Sequence, residues 1–394
     1  MIPVTKAYIP DRDKYHKYID QIQASGWLTN YGVVLQELEL RLANYLNVKH
    51  VICVANGSLA LQVAYKALGL TGEVITTPFS FVATSSTLVW EGLTPIFADI
   101  CPSSFNLDPH QITQHITPKT SAIVPVHVFG NPCDIETIQA IADEHDLKVV
   151  YDASHAFGIP YRTCTGDIIN VLEAGDISTI SFHATKIFHT IEGGALITND
   201  DVLAKKIRNM INFGITGPLT VESLGINAKM NEMQAAMGLC VLDEMDLIKK
   251  SRAEIWQRYT SALRGHVVFQ DWNQHSENNH AYAPILFANE TQLLNVQQHL
   301  QAHGIIPRRY FYPSLDTLYI QAPEAISLPT NVPVHSRSIA SRIMCLPMYF
   351  GLTIDEQNLI IQLIIETLSI QTSITDCIIN LSAEPSKFGQ THPT

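Results

Sequence analysis

Between residues 50 and 152 short apolar runs alternate with amphipathic ones, and no other feature of the sequence restricts the fold as strongly. His50-Val51-Ile52-Cys53-Val54 reads as a strand, residues 58–68 as a helix, and Glu73-Val74-Ile75-Thr76-Thr77 as a strand. Residues 79–88 follow, then Pro95-Ile96-Phe97-Ala98, a buried-looking strand over 121–126 and a helix over 135–145. Lys148-Val149-Val150-Tyr151 is a strand that ends at Asp152. Several of these strands are apolar on both faces, as a sheet covered by helices on both sides requires. The expectation is an α/β fold with a mainly parallel sheet. Ligands of such sheets bind beyond the carboxyl ends of the strands, so the loops there hold the candidate chemistry.

Gly57-Ser58 opens a helix directly after a strand, which offers backbone amides and a hydroxyl to an anion. Alone, the same pair reads first as an ordinary helix cap. In Pro78-Phe79-Ser80-Phe81-Val82-Ala83-Thr84 one Phe can be core while the other presents its face to a ring; both can also be core. Asp152, at a buried strand end, needs a cation or donors, because an unpaired buried charge is expensive. Asp176-Ile177-Ser178-Thr179-Ile180-Ser181-Phe182 alternates polar and apolar residues as a strand does, and Ala195-Leu196-Ile197-Thr198 reads as the next. Lys186 falls in the tight connection between them, where a desolvated amine can serve as a nucleophile. By itself it is a surface lysine. A lysine, a carboxylate before it, a phosphate cradle further upstream and an aromatic plate are together the parts that a pyridoxal phosphate site requires.

Composition narrows the alternatives. The net charge of −12 is spread rather than blocked, which argues against a nucleic-acid partner. Seven scattered cysteines without CxxC spacing favour reduced thiols and a cytoplasmic setting. No signal peptide and no membrane span are expected, and the sixteen histidines form no metal-binding pattern. Residues 1–33 read as an arm ending in Ser25-Gly26-Trp27-Leu28-Thr29-Asn30-Tyr31-Gly32, the composition of a binding loop or docking strap. The large domain spans 34–250. After a long helix at 230–245, a helix at 252–263 leads out of the large domain into a smaller domain over 251–370. This continues with strands at 267–269 and 283–287 and a helix at 292–303, and ends with a helix at 355–368. Residues 371–394 look like a disordered or loosely packed tail. Pro307-Arg308-Arg309-Tyr310-Phe311-Tyr312-Pro313 is either a solvated loop or a wall of the substrate pocket, with arginine meeting diphosphate or carboxylate.

On these motifs, with Val124-Pro125-Val126-His127-Val128-Phe129-Gly130, Asp152-Ala153-Ser154-His155-Ala156-Phe157-Gly158, Ser181-Phe182-His183-Ala184-Thr185-Lys186, Glu192-Gly193-Gly194 and Gly225-Ile226-Asn227-Ala228-Lys229-Met230-Asn231-Glu232, the chain resembles the DegT/DnrJ family of nucleotide-sugar aminotransferases over about residues 2–368. Within that family it is most similar to the enzymes that aminate C4 of a dTDP-4-keto-6-deoxyhexose. The resemblance implies the fold type I architecture of aspartate aminotransferase: a seven-stranded sheet in the large domain plus a smaller C-terminal α+β domain. It implies pyridoxal 5′-phosphate as cofactor, with Lys186 linked to it and acting as acid–base catalyst. Asp152 would pair with the pyridine nitrogen, His155 would lie near the phenolic oxygen, and Phe81 would stack on the ring. Gly57, Ser58 and Ser181 would bind the phosphate, and Asn227 would reach it from a second subunit.

The activity implied is transamination from L-glutamate to a nucleotide-linked keto sugar, in a homodimer with shared sites, for surface glycan (O-antigen) synthesis. Trp27, Thr29, His183, Arg308 and Tyr310 are the candidate substrate contacts. His183 and Glu192 favour C4 over C3 amination, because family members acting at C3 tend to carry another aromatic and Asp-Gly-Gly there. Two rivals are a deoxygenating branch, which has histidine in place of the lysine, and a non-catalytic regulator.

Overall fold

The structure, a computed structural model, describes residues 1–318 and 332–382, and of residues 371–382 the backbone alone. Its centre is a seven-stranded sheet: β1 His50–Val54, β2 Glu73–Thr76, β3 Thr94–Phe97, β4 Thr120–Val124, β5 Lys148–Asp152, β6 Ile177–Ser181 and β7 Gly194–Thr198. The spatial order is β1-β7-β6-β5-β4-β2-β3. β7 runs antiparallel to both neighbours, and the remaining pairs are parallel. Successive residues feed opposite faces, as the two-residue period of a strand dictates. Val51, Cys53, Val149 and Tyr151 join one apolar core, whereas Ile52, Val54 and Val150 join another. That double burial is why these strands read as continuous apolar runs.

Helix Gly57–Leu68 packs across β6 and β7. On the other face, helix Val33–Leu46 packs on β1 and on helix Glu232–Leu242. The carboxylate of Glu232, 1% exposed, accepts from the amides of Gly32, Val34 and Leu35 (3.0, 2.9 and 3.3 Å). It therefore satisfies first-turn donors of helix Val33–Leu46 that its own N-cap, Gly32, leaves open.

The arm is more structured than a strap. Arg12–Ser25 is a helix capped by Asp11, and its Ile22 is buried in the large core. Ile2–Pro3 pairs instead with Ile305–Ile306, so the first 33 residues do not form one unit. Further on, the helical boundaries move. The chain turns at Asp243-Glu244, giving helices Glu232–Leu242 and Met245–Leu263. Residue 250 lies inside the second of these. Met245 and Ile248 belong to the large core, while Ile255, Tyr259 and Leu263 belong to a separate cluster with Leu293, Leu300 and Ile360. Of residues 267–269, Val267 and Val268 form isolated bridges rather than a strand. The last helix runs Ile354–Ser382, past the expected end at 368, so the backbone of residues 371–382 is helical. No proline or glycine interrupts the sequence from 352 to 384. Residues 383–394 lie outside the described residues.

Candidate active site

The carboxyl ends of β1, β5 and β6 open into a cavity of about 250 Å³ lined by Gly57, Ser58, Phe81, Asp152, His155, Ser181, His183, Lys186, Arg308 and Tyr310, among others. Ten of the residues singled out from the sequence thus meet in one place. Gly57 is what allows the first turn of its helix to lie against β6, since a Cβ there would sit 2.9 Å from that of Ser181. Asn56 caps the helix by accepting from Leu59 N (2.9 Å). The amides of Gly57 and Ser58 have no helical acceptor by position. Together with the hydroxyls of Ser58 and Ser181 they form an anion cradle.

Asp152 lies at the end of β5 and is 5% exposed. It accepts from the Thr84 hydroxyl (2.7 Å) and from Ser154 N (3.2 Å), and Thr84 is in turn bonded to Ser80 (2.8 Å). His155 is buried, and its Nδ1 accepts from Phe129 N (3.1 Å). Burial first, then Lys186 and His127, push its pKa far below the ordinary value, so the ring is neutral with its proton on Nε2. The two phenylalanines divide. Phe79 is fully buried among Phe105, Phe129 and Phe311, whereas Phe81 is half exposed and faces the cavity.

Lys186 is not on a tight hairpin. The excursion over residues 182–193 closes on itself through Phe182 N to Gly193 O (2.8 Å) and Thr190 N to Phe182 O (2.9 Å). Phe182 and Phe188 pack inward at 4.8 Å between ring centres. Half-buried, the Lys186 amine lies 3.2 Å from the Tyr282 hydroxyl. Burial lowers its pKa to about 8, with Arg308 adding to the shift and Asp152 opposing it. His183 Nδ1 meets the Thr185 hydroxyl (2.8 Å), and its Nε2 lies 3.5 Å from Glu192 Oε1. Across the cavity, the Arg308 guanidinium sits 4.6 Å from the centre of the Tyr310 ring.

Three expected contacts do not line the cavity of their own chain. Trp27 and Thr29 are exposed. Asn227 is exposed in a bridge with Asn212, one residue before the Ala228 carbonyl that receives Ala55 N. Conversely, Thr84 and Tyr282 were not singled out. Thr84 stood inside a quoted motif, whereas Tyr282 lies in an irregular run before strand Pro284–Leu286 and carried no signal.

These residues fit pyridoxal 5′-phosphate on structural grounds: a cradle that a Cβ at Gly57 would obstruct, a carboxylate already oriented by two donors, a flat aromatic flank and an amine with a lowered pKa. Among the described residues no group of three or more His, Cys, Asp or Glu could hold a metal ion. No helix among them is long and apolar enough to cross a membrane.

Comparison with known proteins agrees with this geometry. Residues 11–365 match the DegT/DnrJ/EryC1/StrS aminotransferase family. The dTDP-4-amino-4,6-dideoxy-D-glucose transaminase of Escherichia coli is 39% identical over 355 residues, 89% of this chain and 94% of that protein. A GDP-perosamine synthase of Vibrio cholerae is 30% identical over 90% of this chain and 96% of its own length. The structure of DesI in the presence of its TDP-sugar product has a TM-score of 0.87 at 34% identity, covering 95% of each chain. The chain therefore belongs to the DegT/DnrJ/EryC1/StrS aminotransferase family, whose members are pyridoxal-phosphate-dependent sugar aminotransferases.

Proposed function

We propose that this enzyme moves the amino group of L-glutamate to C4 of a nucleotide-linked 4-keto-6-deoxyhexose, dTDP-4-dehydro-6-deoxy-D-glucose first among them. The product is the 4-amino-4,6-dideoxy sugar nucleotide in the glucose configuration, destined for a surface glycan. The observation that carries the reading is His183, paired with Glu192, lining the same cavity as Lys186. The 4-amino product in the name of the Escherichia coli relative supports it, while the Vibrio cholerae relative is named for a GDP sugar. Their different nucleotides make dTDP the finer part of the proposal.

Pyridoxal 5′-phosphate, when bound, supplies a ring that spreads the negative charge left at a carbon losing its proton and carries the amino group between the two substrates. Gly57, Ser58 and Ser181 hold its phosphate, and Asp152 holds a proton at its ring nitrogen. The Lys186 amine, at about 8 in its lowered pKa, removes the proton from glutamate C2 and returns one at sugar C4 in the reverse half-reaction. Glutamate leaves as 2-oxoglutarate, and the ketone oxygen of the sugar leaves as water. Arg308 meets the negative charge of a substrate carboxylate or diphosphate.

We further infer a homodimer with shared sites. Trp27, Leu28, Tyr31 and Val33 are exposed apolar side chains, as are Phe213, Leu219, Leu224 and Ile226 near Asn227. Exposed apolar surface on that scale marks an association face, and Asn227 would then reach the partner's phosphate cradle. Inactive Lys186→Ala and Asn227→Asp chains, mixed, should regenerate activity, because one hybrid site keeps both intact residues. No recovery in verified heterodimers rejects the shared site. The substrate assignment is decided by NMR of the product formed with glutamate and a panel of keto-sugar nucleotides. Nitrogen at C3, or turnover only with a 3-keto substrate, would falsify it.

A further inference from the structure

We propose that Tyr282 is the positioning residue of the reacting amine: its hydroxyl seats Lys186 Nζ above the strand ends whenever that amine is not bonded elsewhere. A free lysine has four rotatable bonds and three donors, and without a fixed acceptor its amine samples many positions. Here the hydrogen bond described for Nζ is to Tyr282 Oη, at 3.2 Å. The phenol cannot swing away. Its ring is held by His155 at 4.5 Å, and by Phe129 and Tyr310 at 5.6 Å each.

The backbone behind it is tied down as well. Arg252, 4% exposed, donates to the carbonyls of His280 (3.4 Å) and Ala281 (3.1 Å). Asn279 donates to the carbonyls of His155 (2.9 Å) and Phe157 (3.2 Å) and accepts from Ala281 N (3.1 Å). The segment carrying the phenol is thereby laced to the loop that follows Asp152. A buried guanidinium spent on two peptide carbonyls explains how an irregular run holds a side chain to hydrogen-bonding precision.

The chemistry suits a neutral hydroxyl. Burial raises the Tyr282 pKa, so the group stays a phenol, accepting from the ammonium and donating to the free amine. A carboxylate in its place would favour the ammonium strongly and remove the base. The other charged and titratable groups facing this pair are Asp152, His155, Arg308, Tyr310, Cys345 and Arg252. Arg308 opposes positive charge on the amine, and Arg252 and Arg308 partly offset the burial of the phenol.

The inference rests on Lys186 as the reacting amine, not on which sugar is aminated, and its first test uses no substrate. In cofactor-free protein, acetylation of Lys186 by acetic anhydride across a pH series, read by peptide mass spectrometry, gives the titration of the amine. Tyr282→Phe keeps the ring and removes the hydroxyl. The midpoint should fall by about one unit, because the ammonium loses a charge-assisted acceptor. In the loaded enzyme, the single-turnover rate with glutamate should fall about 10-fold, with KM within about two-fold. Tyr282→Gln keeps an acceptor and should restore part of the labelling profile; it carries the test if the Phe variant does not fold. An unchanged labelling midpoint overturns the proposal, as does a raised KM with unchanged rate, which would make Tyr282 a substrate contact.

Discussion

The cavity has two sides built by different means. Its floor, made of Gly57, Ser58, Asp152 and Ser181, sits on strand ends and on the first turn of a helix. Backbone direction there is set by the sheet ladder, and each functional group is within a residue or two of a regular element. Its wall, made of Tyr282, Arg308, Tyr310 and Phe311, comes from irregular chain. Beyond a single backbone bridge between Arg308 and Cys345, side-chain packing takes the place of a ladder: Phe311 stacks on Phe129 at 5.6 Å, and Arg309 bridges Glu290 and the Ser341 carbonyl at 2.7 Å each. The difference teaches where chemistry and selection are placed. On the proposed reading, the groups that hold the cofactor sit on the side set by regular backbone. The wall combines Tyr282, which seats the reacting amine, with Arg308 and Tyr310, which meet the substrate, and is fixed largely by side-chain packing.

That division can be broken by experiment. The largest effect should come from Lys186→Ala, which removes the acid–base group itself: kcat should fall by about 10³-fold or more, with the thermal midpoint little changed. Native turnover would reject the assignment outright. Next comes Asp152→Asn, which preserves shape and the bond from Thr84 while removing the charge. A drop of about 10²-fold in kcat, with KM values steady, is expected of a floor residue.

Arg308→Ala on the wall should give the opposite pattern, a KM raised about 10-fold for one substrate and kcat within a few-fold. Whether the glutamate or the sugar nucleotide suffers identifies the anion it meets. A loss in kcat alone would erase the distinction between the two sides.

The smallest effect concerns acid stability. His127 is fully buried beside the floor, with its pKa lowered by burial to about 3, and half-buried His280 behind the wall is lowered to about 4. Below their ordinary value of about 6.5 the unfolded chain binds protons that the native one refuses, so stability is lost as pH falls from there towards each lowered value. Urea midpoints at pH 7 and at about pH 3.5 should differ less in His127→Gln than in the parent, and the flattening should exceed that in His280→Gln, because only below the higher of the two lowered values do the two histidines part. Equal slopes in both variants would show the two sides to be desolvated alike.

Legibility in the sequence follows the same line. Gly57, Asp152 and Ser181 could be found because each terminates or opens an element whose period is visible, and Phe81 parted from Phe79 only once the aromatic cluster around Phe79 was in place. Lys186 was found, but its setting was not. The sequence suggests a tight turn, whereas the burial of Phe182 and Phe188 stretches the connection into a longer excursion. Tyr282 was invisible, since nothing local marks a phenol that acquires its meaning from a lysine 96 positions away. The extended last helix was missed for another reason. Residues 371–394 show no clear period and so read as a tail, although no helix breaker stands between 352 and 384.

By itself, then, the sequence determined the alternation of strands and helices, the doubly buried sheet and the position of each motif at a strand end. All of these follow from apolar periodicity and turn chemistry within about a dozen residues. Only the tertiary structure decided which hydroxyl meets the Lys186 amine, which Phe faces the cavity, and that Asp152 is oriented by Thr84 from 68 positions away. Those pairings depend on how separate elements pack, and packing is set by the sum of many weak contacts that no local pattern encodes.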